Sequence, residues 1–114
     1  TFTVIAVDPD AITPQDRAIA AARHFVGADF KVDSSGALTN FTPALSEWFP
    51  PGPMIGSPHR YTVLLYDQSD GFEDRARAYI DNTTDILNFN LTDFAASTGL
   101  TTPVAATMFM TGPD

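Results

Sequence analysis

Two histidines, two closely spaced aspartates and a tyrosine are the side chains of this 114-residue chain whose types and positions suit chemistry at one point. Asp8 and Asp10 bracket Pro9 directly after the apolar run from Phe2 to Val7. His24 enters a second such run, and His59 and Tyr61 flank Arg60 at the head of a third. Strand ends are where polar groups from different elements can converge. Imidazolium N–H groups and a phenol donate to an anion, while a carboxylate accepts from an imidazole and so selects its tautomer. Other readings of the same residues stand beside this one. Asp-Pro-Asp is an ordinary turn former, and a single histidine at a strand end is commonly a satisfied turn residue.

The elements that must position these groups read as short strands. Nine Phe, with Val and Ile gathered in runs such as Phe2–Val7 and Tyr61–Tyr66, favour β structure over long amphipathic helices. Phe2–Val7 is a continuous run of the kind buried on both faces, halted by Asp8-Pro9-Asp10. Thr13-Pro14, with Asp16 behind it, predicts a helix start and a short helix through Ala18–Ala22. His24–Phe30 reads as a strand interrupted at Gly27, and residues 31–40 as a hairpin turning at Ser34-Ser35-Gly36. Thr42-Pro43 is expected to cap a helical turn through Trp48, and the Pro- and Gly-rich stretch from Pro50 to Gly56 to form a rigid loop delivering His59. Residues 67–85 read as polar loop and Asn88–Leu91 as a short strand. Thr92 should cap a helix over Asp93–Thr98 that Gly99 ends, and Val104–Met110 should close the chain's pattern as a strand.

Composition narrows the partners. A formal charge of −8, with only six scattered Lys and Arg, argues against nucleic acid and anionic membrane surfaces. The absence of cysteine excludes disulfide and thiolate chemistry. No apolar stretch is long enough to span a bilayer as a helix. Three of the four asparagines, Asn40, Asn82 and Asn90, stand in N-x-[ST] sequons, which predicts a secreted glycoprotein, with Asn40 the first choice for sugar. The acidic residues Asp67, Asp70, Glu73 and Asp74 read as solvated, with loose Ca²⁺ binding the alternative, and lack EF-hand spacing and its Gly. Trp48, Phe49 and the phenylalanines at 25, 30, 89, 94 and 109 read as core or loop-anchoring aromatics, and Met108 and Met110 as packing.

Asp8-Pro9-Asp10-Ala11, His24-Phe25, and Gly56-Ser57-Pro58-His59-Arg60-Tyr61 followed by Val63-Leu64-Leu65-Tyr66 resemble, in order, the two signature regions of the phosphatidylethanolamine-binding protein family. Phe89-Asn90-Leu91 through Leu100, then Pro103-Val104-Ala105, is similar to the family's short helix and final core strand. The segment Thr39–Leu45 is similar to secreted fungal members. The resemblance spans essentially the whole chain as a single domain over 1–114, without the family's upstream strands. It implies a β-rich fold, a central antiparallel sheet packed against a smaller sheet with short peripheral helices. It also implies that Asp8, His24, His59 and Tyr61 line an anion pocket with Ala22 and Gly56 beside them, while Asp10 and Arg60 support the loops as a charge pair. Two departures, Ile12 for a usual proline and Ala22 for a usual aromatic, imply a more open rim.

The implied function is non-enzymatic binding of a small anionic or phosphorylated ligand, such as a lipid head group with an apolar part, needing no cofactor. The upstream segment is expected to stay associated as a companion polypeptide. A protein-interaction role, such as a secreted protease inhibitor, is the alternative. A metal enzyme is less favoured because the His-x-Asp/Glu spacing of facial-triad sites is missing. A serine hydrolase is disfavoured for want of a Gly-x-Ser-x-Gly elbow, since Ser57 sits in a proline-rich loop.

Overall fold

The β-prone run at the start of the chain becomes strand β1 (Phe2–Asp8), hydrogen-bonded to a neighbouring strand on each side, with every residue from Ile5 to Asp8 buried. The structure is a computed structural model that describes residues 1–10, 22–50, 58–80 and 89–112. Strands β2 (Ala22–Val32), β3 (Leu38–Thr39), β4 (His59–Asp67) and β5 (Ala105–Thr111) join β1 in an antiparallel sheet ordered β3, β2, β1, β4, β5. Helices α1 (Phe72–Tyr79) and α2 (Leu91–Thr98) complete a β-rich fold. Among the described residues this is one sheet with two short helices.

One face of the sheet carries the core. Ile5 and Val7 from β1, Val26 and Ala28 from β2 and Tyr66 from β4 meet Phe72 and Ala76 of α1 and Phe94 of α2, with Leu45, Ile80, Phe89 and Leu100 filling between. Phe94 is fully buried and meets the rings of Phe72, Tyr79 and Phe89 at centroid distances of 6.0, 5.4 and 5.2 Å. Burial in this core pushes the Tyr66 phenol above its ordinary pKa.

Two β-bulges shape β2. From Phe2 to Val4 of β1 the partners on β2 step from Phe30 to Gly27, so β2 holds one residue too many there. Asp29 takes it up in the left-handed region at φ 62°, where Gln68 anchors it by accepting from its backbone N–H at 2.8 Å and donating to its carboxylate at 2.8 Å. From Ala6 to Val7 the partners step from Phe25 to Arg23, which leaves His24 as a second extra residue. Such a bulge bends the strand and re-aims a side chain.

Several expectations are met and several are corrected. The hairpin forms with Lys31 opposite Thr39, and the Asp33 carboxylate accepts from the Ser35 hydroxyl at 2.6 Å and from the Ser35 and Ala37 N–H groups. Those bonds, the Ser35 hydroxyl first, hold the Asp33 carboxyl below its ordinary pKa. Gly99 ends α2 at φ 81° as expected, but the cap is Asn90 rather than Thr92, and the helix starts at Leu91. Gly27 does not interrupt β2, and Ala22 is its first residue rather than the end of a helix. Residues 11–21, which hold the rest of that predicted helix, and 51–57, which hold most of the proline-rich loop, lie outside the described residues, as does Asn88.

The predicted turn of helix from Thr42 to Trp48 is absent. Residues 45–49 instead run along the outer edge of β2 beyond β3, with Val26 O accepting from the Leu45 and Ser46 N–H groups and His24 O from that of Phe49. Those edge groups of β2 need partners, and the segment supplies them. Within the stretch read as polar loop, α1 forms with Glu73 and Asp74 in its first turn and Arg77 in its last, the arrangement the helix dipole favours. The last strand, β5, is an exposed edge strand and not a core strand. Val104, Met108, Phe109 and Met110 are all exposed, and among the described residues β4 is β5's only neighbour in the sheet.

Candidate ligand-binding site

Antiparallel pairing of β1 with β4 brings the end of one strand beside the start of the other, and the candidate residues sit at that junction. Asp8 is the last residue of β1. Its Oδ1 accepts from the Asp10 N–H at 2.8 Å, closing an Asx turn across Pro9, and this aims Oδ2 at His59. His59, the first residue of β4, meets that oxygen with Nδ1 at 2.7 Å, and both side chains are about 4% exposed. Nδ1 is therefore the donor of this bond, and protonation of the ring would add a second N–H at Nε2.

The next residue on β4 points to the opposite face, and a second carboxylate receives it. Asp10 is buried. Its Oδ2 accepts from the Arg60 N–H at 3.0 Å and from Nε at 2.7 Å, and its Oδ1 accepts from a terminal guanidinium nitrogen at 2.7 Å. The Asp10 carboxylate holds the Arg60 guanidinium above its already high ordinary pKa. Asp-Pro-Asp thus grips His59 through its first carboxylate and Arg60 through its second.

His24 arrives from β2 at the bulge. Its Nδ1 donates to the Phe49 carbonyl at 2.5 Å while the Phe49 N–H donates to the His24 carbonyl at 2.8 Å, so ring and backbone are clamped together. The ring lies edge-on to Tyr61 at 5.2 Å between centroids. Tyr61, two residues after His59 and so on its side of β4, stacks within 6.4 Å of the His59 ring. Asp8, His24, His59 and Tyr61 thus form one buried cluster. Ala22 pairs with Asp8 across β1 and β2 and is itself buried, while Ile12, the other residue of the expected open rim, lies outside the described residues. Gly56 and Asn82 lie outside the described residues. Asn40 and Asn90 lie away from the site, on the hairpin side of β2 and at the head of α2.

This is an arrangement of N–H and O–H donors around a buried carboxylate, at the C-terminal end of β1. Residues 1–109 match the family model described as "Phosphatidylethanolamine-binding protein". The chain belongs to this family. A rice (Oryza sativa subsp. japonica) member, "Protein MOTHER of FT and TFL1 homolog 2", is 32% identical over 95% of this chain and 58% of its own length. "CEN-like protein 1" of Nicotiana tabacum is 34% identical over 95% of this chain and 56% of its own. The "Carboxypeptidase Y inhibitor" of Saccharomyces cerevisiae is 34% identical over 63% of this chain and 40% of its own. The chain thus spans a little over half the length of the plant relatives it matches. The crystal structure of carboxypeptidase Y inhibitor complexed with the cognate proteinase contains a chain that superposes with a TM-score of 0.75, at 24% identity, over 99% of this chain and 60% of that one. The shared fold is the family's antiparallel sheet with short helices.

Around the four polar residues of this phosphatidylethanolamine-binding protein domain, three aromatics join the site that the sequence reading had assigned to packing. Trp48 and Phe49 are about half exposed, with rings 6.3 and 5.8 Å from that of His24. Phe109 stacks on Tyr61 at 5.3 Å with 19° between the planes, and it too is exposed. Phe109 sits opposite Tyr61 in the β4–β5 register, a relation that local sequence does not carry. The adjacent pair Trp48-Phe49 was visible, but only the edge pairing to β2 turns it towards His24. Among the described residues no group of three or more His, Asp or Glu side chains converges as a metal site.

Proposed function

We propose that the domain binds a small anionic or phosphorylated group, such as a lipid head group, at the Asp8, His24, His59 and Tyr61 cluster, and does so without chemical turnover. The observation that carries this reading is the buried 2.7 Å contact between His59 Nδ1 and Asp8 Oδ2. Both Asp8 oxygens accept from protein N–H groups, so the carboxylate orients the ring instead of confronting the ligand. An imidazolium or a phenol then supplies charge-assisted or neutral donors to an anion. The exposed rings of Trp48, Phe49 and Phe109 offer an apolar wall for the remainder of an amphiphilic ligand. The sequons support passage through the secretory pathway. The test is titration calorimetry with glycerophosphoethanolamine, a phosphodiester whose phosphate charge is constant between about pH 6 and 8. Saturable binding is expected at both ends of this range. Absence of binding at either pH would remove the proposal.

A second reading, regulation of a protein partner such as a protease, is favoured by the yeast relative's name. A one-to-one complex with carboxypeptidase Y on size-exclusion chromatography would support it.

A further inference from the structure

Two of the three sequons lie among the described residues, and their amide nitrogens are in opposite situations. Asn40 is half-buried beside the β2–β3 hairpin. Its Nδ2 donates to the Ala28 carbonyl at 2.9 Å and to the Thr42 carbonyl at 3.2 Å. The hydroxyl of its sequon partner Thr42 donates in turn to Asp29 Oδ2 at 2.9 Å. Asn90 is exposed and caps α2, but it does so through oxygen, with Oδ1 accepting from the Asp93 N–H at 3.0 Å. Thr92, its sequon hydroxyl, is also exposed.

N-glycosylation transfers an oligosaccharide from a lipid-linked pyrophosphate donor. The bond between the sugar's C1 and the phosphate oxygen breaks, a C1–Nδ2 bond forms, Nδ2 gives up one proton, and the lipid pyrophosphate leaves. The product is a secondary amide with one N–H and an unaltered carbonyl oxygen. At Asn40 that leaves one hydrogen for two bonds and places a sugar where backbone now sits. At Asn90 the modification uses nitrogen and the cap uses oxygen, so both coexist.

We propose that Asn90 is the N-glycan attachment site and that Asn40 stays unmodified in the folded protein, reversing the preference drawn from sequence. The proposal rests on the secretory reading given above. The protein from its native source would be treated with peptide N-glycosidase in heavy-oxygen water, which marks each occupied asparagine as labelled aspartate for peptide mass mapping. Label at Asn90 and none at Asn40 is expected. Sugar at Asn40, or sugar elsewhere with Asn90 empty, would overturn the site while leaving the secretory reading intact; a wholly unmodified protein would overturn both. Two variants made in the same secretory host separate sugar from cap. Thr92→Ala should lose the mass of one glycan, as should Asn90→Asp, and both should keep the folded protein because each retains a cap oxygen at 90. Unchanged glycan mass in both variants would also overturn the site.

Discussion

Asp8 holds His59 through one carboxylate oxygen while its other oxygen holds the backbone N–H of Asp10, so a single side chain fixes both the turn after β1 and the ring at the start of β4. Asp8→Asn separates orientation from charge. The substitution removes a negative charge near the anion site, which would help an anion if repulsion governed. The geometry says that positioning governs, so Asp8→Asn should weaken phosphodiester binding, through loss of a charge-assisted bond of about 1.5–3 kcal/mol. Calorimetry on the variant reads the sign, and tighter binding would contradict the positioning role.

His59→Ala should weaken the same ligand by a factor of roughly ten or more, as expected for loss of one charge-assisted donor. Tyr61→Phe removes a neutral donor but keeps the ring stacked on Phe109, and should cost about 1 kcal/mol. Wild-type affinity in His59→Ala would place the anion elsewhere on the domain.

Glu73 of α1 faces Asp29 of the β2 bulge, with Lys31 and Arg77 as the nearby cations. Its bond to Asp29, then burial, raise the Glu73 carboxyl above its ordinary pKa of 4.5, whereas bonds from Glu73, Gln68 and Thr42 lower that of Asp29. A raised carboxyl contributes stability that is full below about pH 4.5 and is lost as pH climbs through the folded value. Glu73→Gln keeps a donor to Asp29 and removes that loss. The variant should therefore melt higher than the parent at pH 7, with the difference vanishing near pH 3. Its distant ion pair with Arg77, at 3.5 Å on the surface, is too weak to reverse the sign. Equal melting at pH 7 would show that the two carboxyls do not interact.

A methyl group at Gly27 would sit 2.6 Å from Phe25 Cζ and 2.8 Å from Phe30 Cε2, because both rings close over the bare backbone there. Gly27→Ala should destabilise the domain by about 1–3 kcal/mol, the usual range for overpacking. Shortening Phe25 to Leu in the same chain should recover part of the loss in a thermal melt. Wild-type stability in Gly27→Ala would mean the rings swing away at no cost.

Local signals were legible wherever neighbouring residues decide the outcome. The β-prone run of β1 and its halt at Asp8-Pro9-Asp10, the Asp33–Gly36 turn and the left-handed stop at Gly99 each depend on side chains acting on their own backbone. Helix α1 was obscured because its surface is almost wholly charged. Its one local mark, Phe72, Ala76 and Ile80 at four-residue spacing, is the thin apolar stripe it turns to the core. The 42–48 stretch carried a local helix signal that the unsatisfied edge of β2 overrode.

The order of motifs in the sequence determined the family and singled out the polar residues that the structure brings together, since identity and order need no coordinates. Tertiary structure alone decided that Asp8 serves His59 while Asp10 serves Arg60, residues about fifty positions away in the chain. It also decided that Phe109 covers Tyr61, that Ala22 pairs with Asp8, and that Asn40 spends its nitrogen while Asn90 spends its oxygen. Each of these depends on strand register or on a bulge. A shift of one residue in pairing turns a side chain to the other face, and a single sequence does not record which register the closed sheet adopts.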